Sequence, residues 1–288
     1  MKRITSIILL SALFAPASFG WGRVGHATVA QIAEDHLKPK VRRTLDAYLG
    51  KSITEIASDA DKYRSVWTLD LGFVPSNPDD ARVKWLKGFD FSSPLNVSPW
   101  SHSITVDENF HSYATDNLDG AYINNDAYYV DMLAARLKKN AKNMTKEEVY
   151  RSVALIVHFL GDMHCPMHIV YLPSSVPVKG AVKVNYKDKP TTLHKIWDGA
   201  IFSGYPKDCK EMAKLADTAT RKEIRQTTRG NVYEWAGYVS YYCWPLHNEF
   251  KDGDFLPDNY ASEREDYLLT ELRNGGYRLA AVLNWIFK

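Results

Sequence analysis

The chain has 288 residues, 45% of them apolar or aromatic and 24% charged, which excludes a disordered or fibrous protein and suits one or two globular domains. Its formal charge is +2 at pH 7, and residues 1–20 hold Lys2 and Arg3 but no acid, so removing them leaves basic and acidic residues equal in number. Such a chain lacks the broad basic field with which proteins grip duplex DNA, and any positive charge offered to a polyanion must be local.

Lys2-Arg3, the apolar run over residues 4–19 and the small residues around Gly20 read as a secretory signal, which makes the protein secreted or periplasmic and Trp21 its first mature residue. No second run is long enough to cross a membrane. Without linker or repeat, residues 21–288 read as a single domain.

Apolar residues at helical spacing run through 26–49 and stop at Gly50, with Pro39 able to split the stretch. Ser52-Ile-Thr-Glu55 and Thr145-Lys-Glu-Glu148 match the capping box, so helices are predicted over 53–65 and 146–162. Residues 70–100 read as irregular. Alternation at Val182, Val184 and Tyr186 before Lys187-Asp-Lys-Pro190 predicts a short hairpin. Further helices are expected over 124–140, 192–202, 208–226, 228–243 and 261–286, the last interrupted at Gly275-Gly276. The expected fold is mainly α with a small β-hairpin. In an exported chain Cys165, Cys209 and Cys243 allow one internal bridge, and Cys209–Cys243 is the expected pair because Cys165 lies inside a histidine-rich motif.

That motif is His158-Phe-Leu-Gly-Asp162-Met-His164-Cys-Pro-Met-His168. Positions i and i+4 share a helix face, so His158 and Asp162 can address one point, and Pro166 ends the helix so that His168 approaches from the following turn. His194 and Asp198 repeat the spacing. Imidazole with carboxylate is a donor set that suits zinc, although on spacing alone a metal site and ordinary solvent-exposed helix pairs both stay open. Cleavage after Gly20 would free the Trp21 amine, which titrates at about 8 and can chelate a metal together with its own carbonyl, with His26 closing the site. The other reading of Trp21 is a plain core anchor.

Trp21-Gly-x-x-Gly-His26, Ala57-Ser-Asp-Ala-Asp61-x-x-Arg64, Trp100-x-His102-x-Ile104, His158-x-x-x-Asp162-x-His-x-Pro-x-His168 and Leu193-His194-x-x-Trp197-Asp198 occur in the order of the S1/P1 nuclease family. The resemblance covers nearly the whole mature chain. It implies a single-domain helical fold of the phospholipase C/P1 nuclease type with three zinc ions in a cleft. By that resemblance Asp61, His102, His158 and Asp162 hold one ion, His168, His194 and Asp198 a second, and Trp21 with His26 a third, Asp162 bridging first and third. Arg64 would bind a phosphate oxygen or steady Asp61. Three ions less three aspartates leave about +3, the local positive charge that the neutral chain otherwise lacks. His36, His111, His164 and His247 match no ligand position.

The implied activity is hydrolysis of single-stranded DNA and RNA to 5′-phosphate products, with 3′-nucleotidase action as a further one. The pattern departs at Ser103 and Thr105, either side of Ile104, where relatives carry an aromatic and an acidic or amide residue that help cradle a base, and at Lys179-Gly-Ala181, where many have Gly-Gly-Asn. A zinc phospholipase C-like phosphodiesterase and a noncatalytic zinc protein are the alternatives these departures leave.

Overall fold

The computed structural model describes residues 21–61, 103–112, 126–171 and 182–288. It is mainly helical, as the periodicity predicts. Helix α1 spans Arg23–Asp35 and α2 Pro39–Leu49, so Pro39 does divide the first stretch, and Gly50 closes α2 in the left-handed conformation at φ 65°. The Ser52 capping box forms, with the Glu55 N–H donating to Ser52 Oγ at 3.1 Å, yet residues 53–58 are turns and helix begins only at Asp59. The predicted irregular stretch 70–100 lies outside the described residues.

Helix α3 covers Asp126–Asn140, and α4 covers Lys146–Met163 behind the complete Thr145–Glu148 capping box. Helix α4 is buried on nearly every side from Val149 onward. It has α1, α2, α3 and the last helix packed around it, which is why its sequence is apolar all round rather than in one stripe.

Among the described residues, two small sheets complete the frame. Strand β1, Ile104–Val106, pairs in parallel with β2, Ile169–Tyr171, in register Ile104 to Ile169. This pair was invisible to the sequence reading, because three-residue strands carry no measurable period. The hairpin does form, from β3 at Lys183–Tyr186 and β4 at Lys189–Thr192.

Four expected helices differ. The 192–202 segment is α5, Leu193–Asp198, followed by a 3-10 turn at Ala200–Phe202. The 208–226 segment divides into α6, Cys209–Ala216, and α7, Arg221–Thr227, because Thr220 and Glu223 make a capping box of their own. The 228–243 helix is α8, Val232–His247, begun by an Asn231–Glu234 capping box and carrying Pro245 in its last turn. After the short α9, Tyr260–Glu263, helix α10 runs unbroken from Glu265 to Phe287. The expected interruption at Gly275-Gly276 is absent. These glycines let α10 lie against α1 and the α4 terminus: a Cβ at Gly276 would sit 2.5 Å from Ile32 and one at Gly275 3.2 Å from His164. Close packing outweighs a helix-propensity cost of about 1 kcal/mol per glycine.

The cysteines are unbridged. The expected Cys209–Cys243 link is not made: Cys243 is buried on the inner face of α8, whereas Cys209 begins α6.

Helix α10 also buries Glu271 completely, with no hydrogen bond to Oε2. Burial lifts this carboxyl to about 7, against the opposing pull of Arg278 and Asn274. A carboxyl that holds its proton more tightly folded than unfolded stabilises the fold below its ordinary value of 4.5 and gives that stability up as pH rises to about 7. The loss is on the order of 3 kcal/mol. Glu271→Gln, which cannot ionise, should therefore match wild type in thermal unfolding near pH 4.5 and exceed it near pH 8. Equal melting temperatures at both values would show that Glu271 does not ionise within the fold.

Candidate metal centre

The site is assembled where four segments meet at the C-terminal end of α4. The chain enters at Trp21, whose fully buried indole packs on Trp197 at 6.2 Å and Phe202 at 5.7 Å. The indole is thus the core anchor of one reading, while the backbone beside it is tied to α5: the Gly22 N–H donates to the Asp198 carbonyl at 2.7 Å. No other residue fits at 22, since a Cβ there would lie 2.0 Å from that oxygen.

One turn into α1, His26 crosses the face of α4 over Gly161, where a Cβ would stand 2.5 Å from Nδ1. That close approach sets His26 Nε2 3.1 Å from Asp162 Oδ1, and His158 Nε2 reaches Oδ2 of the same carboxylate at 3.0 Å. The two imidazoles stack at 4.4 Å. Asp61, at the end of the described first segment, brings Oδ1 to 3.5 Å from His158 Nε2. Donor atoms of His26, Asp61 and His158 all lie within 4.8 Å of one another.

A second group forms beyond Pro166. The turn after α4 is fixed by the Cys165 N–H donating to the Asp162 carbonyl and the His168 N–H to the Cys165 carbonyl, each at 2.9 Å, and the His168 carbonyl then accepts from Ile104 N–H as β2 joins β1. His168 Nε2 meets His194 Nε2 at 2.6 Å, and each stands 3.6 Å from an oxygen of Asp198. His194 and Asp198 share one face of α5, as their spacing requires. Charge on Asp162 is felt at both His194 and Asp198, so the two groups belong to one electrostatic site.

His102, Arg64 and Trp100 lie outside the described residues, as does Lys179–Ala181. Ser103 is half-buried, and Ile104 and Thr105 are buried within β1. Two participants were missed. The sulfur of Cys165 lies within 4.8 Å of donor atoms of His168 and Asp198. Asp126, the first residue of α3, is fully buried with no hydrogen bond to either carboxylate oxygen, and its N–H donates to the Ser103 carbonyl at 3.1 Å. Neither stands at a recognisable ligand spacing. His164 faces away from the site, bonding Leu160 O and Arg278, while His36 bonds Asp217.

Electrostatics favour a cation here. Burial, and then the neighbouring His158, lowers the His26 pKa, while burial and then His168 bring His194 to about 4. Both are neutral imidazoles near pH 7, the form that ligates metal. Burial pushes Asp198 up to about 8 despite the adjacent His194, and raises Asp126 well above the carboxylate range, with Asp162 adding to the effect. Carboxylates this reluctant to ionise need a counter-charge, and nitrogen and oxygen donors converging at these separations fit a divalent ion of zinc type.

A family model described as S1/P1 Nuclease matches residues 21–288. Endonuclease 2 of Arabidopsis thaliana is 26% identical over 99% of this chain and 96% of its own length. Nuclease S1 of Aspergillus oryzae is 25% identical over 99% and 98%, and Nuclease P1 of Penicillium citrinum 24% over 92% and 96%.

Gly161→Ala tests the close approach of α1 and α4. It should preserve helical circular dichroism while forcing His26 off Asp162, and divalent-metal affinity, measured by elemental analysis after dialysis, should fall by about tenfold or more. Unaltered affinity would show that this contact does not organise the site.

Proposed function

We propose a specific reaction for this chain, which belongs to the S1/P1 nuclease family and is a phosphodiester-hydrolysing enzyme: zinc-dependent cleavage of single-stranded DNA and RNA that leaves 5′-phosphates, with release of phosphate from 3′-nucleotides at the same centre. The observation that carries it is Asp162, a fully buried carboxylate with one imidazole against each oxygen. That disposition suits a ligand shared between two ions.

Three zinc ions are the proposed complement. Asp61, His158 and Asp162 hold one with His102, and His168, His194 and Asp198 hold another. His26 and Asp162 hold the third, together with the Trp21 amine and carbonyl once residues 1–20 are removed. Such removal belongs to a secreted or periplasmic protein, which the Lys2-Arg3 and apolar leader support. Bound there, the ions would supply Lewis acidity, lowering the pKa of water to roughly 7 and offsetting phosphoryl charge.

The protein's own part is positional. Asp162 and Asp198 fix the imidazoles they face, burial keeps His26 and His194 unprotonated, and the β1–β2 pairing holds the His168 backbone through the Ile104 N–H. Arg64, which lies outside the described residues, is assigned to a phosphate oxygen on the family resemblance. Ser103 supplies no ring and Thr105 no carboxylate for a base, so this reading has weak base preference at that position, and recognition there falls to the phosphate and the ions.

Purified zinc-loaded protein should cleave single-stranded DNA, lose that activity on chelation and regain it with zinc. Asp162→Asn should lower the rate by about 100-fold or more and reduce bound zinc. Wild-type rate in that variant would defeat the shared-ligand assignment. One residue added before Trp21 in the processed protein should remove one zinc equivalent by elemental analysis, and full zinc content would exclude the terminal amine.

A further inference from the structure

The outer face of α8 exposes Tyr238 at 51% and Tyr241 at 68%, with Trp244 beside them. Rings of this size clustered on one surface mark a contact site more often than chance exposure does. The loop after β1 is built onto this face. Asp107 organises it, its carboxylate accepting from the Asn109 and His111 N–H groups at 2.8 Å each. Phe110 closes the turn at φ 61°, a left-handed conformation unfavourable to a non-glycine residue. Its carbonyl seats against α8 where a Cβ on Gly237 would come within 2.5 Å.

A backbone held in that state keeps one ring in one place. The Phe110 ring stands edge-on to Tyr241 at 5.4 Å and to Trp244 at 5.9 Å. Together with Tyr233, Tyr238 and Tyr241 it lines a hollow of about 450 Å³.

Tyr238 also lines a neighbouring cavity of about 630 Å³ that contains Arg229, Arg273 and Arg278. Arg278 is only 3% exposed, its guanidinium lying over Trp235 at 5.5 Å and Tyr238 at 5.4 Å. Its Nε donates to the Thr227 carbonyl at 3.2 Å and Nη1 to His164 Nε2 at 2.8 Å. Glu223 and Glu234 share the lining, but each already accepts from a helix-capping N–H, of Thr220 and Asn231, and the three guanidiniums outnumber them.

We propose that Phe110, Tyr238 and Tyr241, continued by this arginine-lined cavity, form a second contact surface for single-stranded nucleic acid outside the metal centre. It rests on the nuclease reading above. Rings give sequence-tolerant stacking for bases, and guanidiniums beside them pair with phosphates. The surface is continuous with the site: His168 directly precedes β2, and Tyr171 at the end of that strand packs on Phe110 at 6.2 Å and Trp244 at 4.6 Å. At about 3.3 Å per strand residue the platform starts about 10 Å from His168, so a strand held there extends beyond the nucleotides being cleaved.

The test compares a dinucleotide with a long single-stranded oligodeoxynucleotide on the zinc-loaded enzyme. Tyr241→Ala, at an exposed position, should raise KM for the long strand by roughly tenfold with kcat unchanged, and leave both constants for the dinucleotide as in wild type. Gly237→Ala, which displaces Phe110, should act in the same direction. Arg273→Gln should reduce the slope of log affinity for the long strand against log salt by about 0.7, the share of one phosphate contact. Wild-type KM for the long strand in all three variants would overturn the platform while leaving the nuclease reading intact. Failure of wild type to cleave either substrate would defeat the nuclease reading itself.

Discussion

The contact on which the structure depends is that of Asp162 with the imidazoles of His26 and His158. A carboxylate with no exposure is costly to bury, and this one lies at the end of the most enclosed helix of the fold. Three features exist to meet that cost. Helix α1 must cross α4 at Gly161 so that His26 can reach one oxygen; His158 must stand one turn earlier to reach the other; and Gly22 must bond the Asp198 carbonyl so that the start of α1 stays in place. The long α10 backs this arrangement from behind, Gly276 admitting Ile32 at a distance that any side chain would forbid and Gly275 leaving close room for His164.

Much of this was legible in the sequence because it is local. The i,i+4 spacing of His158 with Asp162 and His194 with Asp198 places each pair on one helix face, and the Thr145 capping box states where α4 begins. Pro166 correctly ended that helix. The same local logic explains the split at Thr220, where a Thr-Arg-Lys-Glu capping box was present but passed over within a longer apolar pattern.

What was not legible depends on partners distant in the chain. Strands β1 and β2 are too short to show a period and are defined only by each other, across more than sixty residues. Gly275-Gly276 read as an interruption because propensity favours that reading, and only the proximity of α1 reverses it. Asp126 carried no ligand spacing, and its place beside Asp162 follows from the Ser103 carbonyl that receives its N–H. Cys165 lies within the histidine-rich motif but at no ligand spacing, and only the fold sets its sulfur with His168 and Asp198.

Net neutrality and polyanion chemistry are compatible for the same reason that the site is expensive. Asp61, Asp126, Asp162 and Asp198 converge on one buried region, and burial drives Asp126 and Asp198 toward their protonated forms while keeping His26 and His194 uncharged. A site of this kind is unfavourable to an arriving phosphate on its own; bound cations would be held by these carboxylates in their ionised form and would confine positive potential to the point of chemistry. A surface-wide basic field would have raised encounter rates with every duplex in reach, whereas a local charge acts only on a phosphate that can enter the cleft.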